Sequence, residues 1–157
     1  MRWYEKMIET SKSFVRDGQS VSPVFFMKSN QGKLEIVSLS VFGDNKDVMS
    51  QAMRWLVRRY DPAEYMFVTE AYVKMLDLKD KSEQALGSLL VKGTLAVSEL
   101  PSSQEAIVVL YGTRKEERLG FIRFQKQGTA VTFAPMKWLS GDEAKGRFMH
   151  LRNASEK

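Results

Sequence analysis

The chain has 157 residues, of which 43% are hydrophobic and 27% charged, with 24 Lys and Arg against 19 Asp and Glu for a net charge of +5. That balance supplies a packed core and excludes a disordered, collagen-like or rod-like chain. There is no cysteine and one histidine, His150, which excludes disulfides, thiolate nucleophiles, Cys-ligated zinc and multi-histidine metal sites.

A carboxylate-only site for a hard cation stays open, because it needs only oxygen donors. No run approaches the roughly 20 apolar residues of a membrane-spanning helix. The start, Met1 to Lys6, carries Glu5 and lacks the uninterrupted apolar centre of a signal peptide, so the expected compartment is the cytoplasm.

Residues 2–17 read as an amphipathic helix. Trp3, Tyr4, Met7, Ile8, Ser11, Phe14 and Val15 recur at helical spacing, and Gly18 is a natural stop. Val24–Met27 and Leu34–Leu39 flank the turn Ser29-Asn30-Gln31-Gly32, which is the pattern of a β-hairpin. A second helix follows at about 45–60, capped by Asp44 or Asn45, with Val48, Met49, Ala52, Met53, Leu56 and Val57 as its apolar stripe. Asp61-Pro62 ends it, since the residue before proline is pushed out of helical geometry.

The third strand, Tyr65 to Lys74, is apolar on both faces and reads as central. It is free to run parallel to a hairpin strand through the second helix as a crossover. The pattern breaks after Met75, so 76–104 reads as an insertion with a helical turn or two around Glu83–Val91. Ala106–Tyr111, Leu119–Lys126 and Thr129–Ala134 then form an antiparallel meander, its second connection a tight Gln127-Gly128 turn. From Met136 a short helix or irregular tail is expected. The whole is a single α+β domain over 1–157, ordered α-β-β-α-β-(insertion)-β-β-β, with a mainly antiparallel sheet of about six strands covered by two helices.

Several short motifs lie along these strands: Pro23-Val24-Phe25-Phe26-Met27, Gly32-Lys33-Leu34, Glu70-Ala71-Tyr72, Pro101-Ser102 before Glu105-Ala106-Ile107-Val108-Val109, and Gly146-Arg147-Phe148. In this order they resemble a family of small bacterial proteins with no assigned function, and the stretch 76–100 departs from that pattern. The resemblance implies an order of strands and no activity.

Enzyme signatures are missing. The chain has no Gly-rich phosphate loop, no Gly-x-Ser-x-Gly elbow and no His-Glu-x-x-His. Asp77-Leu78-Lys79 matches the acidic-x-Lys element of metal nucleases only superficially, and His150 lacks triad partners at any telling spacing. The expected protein is therefore a non-enzyme without cofactor or metal.

Three groups of residues stand out. Glu70 is a lone carboxylate on the row Met66, Val68, Glu70, Tyr72, and Arg123 is a charge on a partly apolar row. They are expected either to pair across the sheet or to line a ligand pocket together with Tyr72. Arg54, Arg58 and Arg59, interleaved with Trp55 and Tyr60, and Arg114, Lys115 and Arg118 of the charged connection form a basic set suited to nucleic acid. Trp3 and Trp138 are hard to bury near the two ends and are candidates for a homodimer or partner interface. The leading expectation is a non-catalytic protein–protein interaction or regulatory module, homodimeric or with another protein. The alternatives are a nucleic-acid binder and a small-ligand site near Glu70.

Overall fold

The structure is a computed structural model that describes residues 2–43, 45–73, 104–139 and 151–152. The expected insertion, apart from Gln104, lies outside the described residues, as do Asp77-Leu78-Lys79, Gly146-Arg147-Phe148 and His150.

Helix α1 spans Trp3–Arg16 and buries Tyr4, Ile8, Ser11 and Val15, which the helical repeat places on one stripe. Glu5 in its first turn and Arg16 in its last complement the helix dipole. Strands β1, Val24–Lys28, and β2, Leu34–Ser38, form the expected hairpin. Helix α2 spans Lys46–Tyr60, and the Asn45 side chain caps it by accepting from the Val48 N–H at 3.1 Å. Its buried stripe is Met49, Ser50, Met53 and Val57.

Strand β3, Glu64–Val73, follows, then β4, Gln104–Thr113, and β5, Glu117–Gln127. The sheet is ordered β2-β1-β3-β4-β5, with β6, Ala130–Phe133, beside β5. Every pairing among the described residues is antiparallel. Strand β3 is central, as its two apolar faces require. It pairs antiparallel with β1 and so runs parallel to β2 with β1 between them, and α2 makes that crossover.

Two sequence expectations change at the far edge. The tight turn is Gly128-Thr129, with Gln127 paired to Ala130 and Gly128 at φ +63°, so glycine takes the first turn position. A further strand, β7 at Lys137–Trp138, appears where a helix or tail was expected. From Phe124↔Phe133 to Gly120↔Trp138, β5 steps back four residues while the returning chain steps forward five. The extra residue is a β-bulge around Pro135, on an edge where proline is tolerated. Because side chains alternate, that bulge turns Trp138 onto the same face as Phe133.

The sheet has a core on each face. On one, α1 packs Tyr4, Ile8 and Val15 against Phe26, Met66, Val68, Ile107, Val109 and Ile122. On the other, α2 packs Met49, Met53 and Val57 against Phe25, Met27, Tyr65, Phe67 and Leu110, and Leu151 joins this cluster fully buried. Burial of each such side chain stabilises the fold by about 1.5–3 kcal/mol.

Candidate functional site: an open edge, a helix face and a cleft

The Glu70 carboxylate accepts the backbone N–H of Val21 at 2.9 Å, and the Glu70 N–H donates to the Val21 carbonyl at 3.3 Å. The charge thus anchors the segment between α1 and β1. It does not pair with Arg123. In register, Glu70 stands beside Ile107 and then Ile122, whereas Ala71 stands beside Ala106 and then Arg123. Glu70 and Tyr72 therefore face α1, and Arg123 faces the opposite side. This corrects both the cross-sheet pair and the shared pocket of Glu70, Tyr72 and Arg123. Arg123 is exposed, 6.0 Å from the Phe121 ring centroid.

Trp3 and Trp138 both have seats inside the fold. The Trp3 indole N–H donates to Glu64 Oε1 at 3.0 Å, and the ring lies 6.3 Å from Phe26 and 6.4 Å from Tyr111. The Tyr111 hydroxyl donates to the same Glu64 oxygen. Burial first, and then that bond, raise the Tyr111 phenol well above its ordinary value. Trp138 lies over Gly120, where a Cβ would come within 2.7 Å of its ring, so only glycine admits it there.

The basic residues divide. On α2, Arg58 and Arg59 are exposed beside Trp55 (58% exposed) and Tyr60 (55% exposed), whose rings meet edge-to-face at 6.2 Å. Arg59 lies over Tyr60 at 5.5 Å, and Arg54 donates to the Ser50 hydroxyl. Arg114 reaches the end of this helix, with Nη1 on Asn30 Oδ1 at 2.7 Å and Nη2 on the Asp61 carbonyl at 2.7 Å. Lys115 is exposed on the same connection. Asp61 adopts the left-handed conformation, φ 42° and ψ 59°, and its carboxylate is shared by Arg114 and Arg152. The bond to Arg114 comes first, and with Arg152 it holds the Asp61 carboxyl below its ordinary value against a smaller desolvation effect. Below this junction the Tyr65 hydroxyl donates to Glu117 Oε2, which also accepts the Leu151 N–H at 2.9 Å. Burial above all, and then Glu117, raise the Tyr65 phenol far above its ordinary value.

Arg118 belongs elsewhere. It pairs in register with Tyr111 and so faces α1, where its guanidinium stacks on Trp138 at 4.2 Å from the ring centroid. Two residues marked for different reasons in the sequence meet here, and both line a cleft of about 370 Å³ between α1 and the bulged edge. Ile8, Ile122, Ala134, Pro135 and Met136 contribute its apolar lining, and Glu5, Glu9 and Lys12 line its α1 side.

The sequence reading missed the outer edge of the sheet. All of β2 except Val37 is exposed, with Ile36 at 62%. Ser29 N–H bonds to the Lys33 carbonyl and Leu39 N–H to the Pro23 carbonyl, which fixes the odd-numbered β2 residues as those bonded to β1. The N–H and C=O groups of Leu34, Ile36 and Ser38 therefore point outward. Lys33 and Glu35, paired at 3.5 Å, are the signal that could have marked an edge.

No family model, curated protein or solved structure matches the chain. Among the described residues no group of three or more His, Asp or Glu side chains converges as metal donors, and no helix is long and apolar enough to cross a membrane.

Proposed function

We propose that the chain is a protein–protein interaction module that associates with a second copy of itself through strand β2. The observation that carries this reading is the open, aliphatic edge, whose outward backbone groups are self-complementary. A two-fold axis through Ile36 would set Ile36 against its counterpart and Leu34 against Ser38, all residues whose N–H and C=O point outward. Glu35 would then face Val37 of the second copy. Centring the pair on Glu35 would set two carboxylates opposite each other and oppose residues already bonded to β1. Pairing at Ile36 centres on the most exposed large hydrophobic side chain of the strand and removes a free sheet edge.

Light scattering on eluting protein tests this directly. The native chain should elute at twice its 18.0 kDa mass. Ile36→Pro removes only an outward N–H, because position 36 gives no bond to β1, so the variant should keep its circular dichroism and elute at the monomer mass. A native monomer at high concentration, or a variant that stays dimeric, contradicts the reading.

A second reading rests on the outer face of α2. Exposed Trp55 and Tyr60 beside Arg58 and Arg59 combine base-stacking surfaces with phosphate-binding cations, where stacking contributes about 1–3 kcal/mol per base. Anisotropy of a labelled oligothymidylate should then rise with protein at low salt and fall steeply with added salt. No rise at low salt contradicts it. The Arg58→Glu, Arg59→Glu variant should lose the rise.

A further inference from the structure

We propose that the cleft between α1 and the bulged β5–β7 edge binds a small zwitterion with an apolar side chain, of the class of free apolar amino acids. The cleft carries two acidic and two basic side chains, Glu5, Glu9, Lys12 and Arg118. One pair is closed, since Lys12 Nζ lies 3.2 Å from Glu9 Oε1. Glu5 and Arg118 have no ion-pair partner among the described residues. One carboxylate and one guanidinium without an ion-pair partner thus line the cleft beside the closed Glu9–Lys12 pair and its apolar residues.

Each part of the ligand follows from one of these groups. The Arg118 guanidinium is held by stacking on Trp138, which leaves its N–H fork to take a carboxylate through paired, charge-assisted bonds. Glu5, on the opposite wall, takes an ammonium group. The apolar side chain covers Ala134, Pro135 and Met136, which line the cleft and are not fully buried. The volume, about 370 Å³, lies at the small end of ligand sites and suits a single amino acid. A ligand with only one of the two charges would leave either Glu5 or Arg118 desolvated without a partner, and that penalty selects the zwitterion. The bulge at Pro135 is part of the site, because it aims Trp138 and Met136 inward.

Calorimetric titration with L-phenylalanine and L-leucine, followed in parallel by the indole N–H resonances of the isotope-labelled protein, tests the assignment. At least one amino acid should bind and shift the Trp138 indole while the Trp55 indole stays in place. Phenylalaninamide, which lacks the carboxylate, and N-acetyl-phenylalanine, which lacks the ammonium, should each bind at least about tenfold more weakly. Arg118→Gln should lose binding by a similar factor with unchanged circular dichroism, and Arg118→Lys should restore part of it. No heat and no Trp138 shift up to about 10 mM, beyond the range of weak specific binding, overturns the proposal. Equal binding of phenylalanine and its N-acetyl form overturns it as well. None of these outcomes depends on the oligomeric state, so this proposal and the β2 pairing fail separately.

Discussion

Asp61 shows how one side chain fastens several parts of the chain. It ends α2 in a left-handed conformation, donates its N–H to the Val57 carbonyl at 2.9 Å, and holds Arg114 and Arg152 on its carboxylate. Asp and Asn tolerate this conformation better than other residues with a Cβ. Because the carboxyl is held below its ordinary value, the clamp contributes fully above the unfolded-state value of about 3.9 and is lost as pH falls through the lower folded value. Asp61→Asn keeps the backbone fit and removes the charge. The variant should melt below the native protein at neutral pH, and the gap should close as pH drops below about 4. A gap that stays constant to strong acid would show that Arg114 and Arg152 are not held by charge. At the same scale the sequence showed that Glu70 needed a partner and could not name it. The donor is a backbone N–H, Val21, brought from a connecting segment that carries no pattern of its own.

The helices are the elements most legible in the sequence, because an apolar stripe at helical spacing states both the helix and its buried face. Every strand but β7 could be read by itself, as could the hairpin and the meander, but the register across the sheet could not. Whether Glu70 and Arg123 share a face depends on the register across β4, and a shift of one residue reverses the answer. Strand β7 escaped because the bulge at Pro135 breaks the alternation that announces a strand. The tie of α1 to the sheet was likewise invisible, since Trp3, Glu64 and Tyr111 are distant in sequence. Glu64→Ala would leave the Trp3 indole N–H and the Tyr111 hydroxyl without their acceptor, at a cost of about 1–3 kcal/mol in urea unfolding. A change within about 0.5 kcal/mol, typical of an unremarkable surface site, would mean that α1 is held by its apolar stripe alone.

At the scale of the molecule, α1 and α2 cover opposite faces of one sheet, and this separates the surfaces available to partners. The cleft with Arg118 and Trp138 belongs to the α1 face, and Trp55, Arg58 and Arg59 belong to the outer side of α2. Pairing two copies at β2 about an axis normal to the sheet would place both α2 helices on one side and both clefts on the other. The outcome for residues is specific. Odd-numbered β2 amides are bonded to β1 in one copy alone, and even-numbered ones gain a partner only when a second copy docks. Amide hydrogen exchange read residue by residue across a dilution series is therefore the most direct test. The account expects Glu35 and Val37 to stay protected at every concentration, while Leu34, Ile36 and Ser38 become protected as concentration rises. Rapid exchange at Leu34, Ile36 and Ser38 even in the most concentrated sample would contradict it.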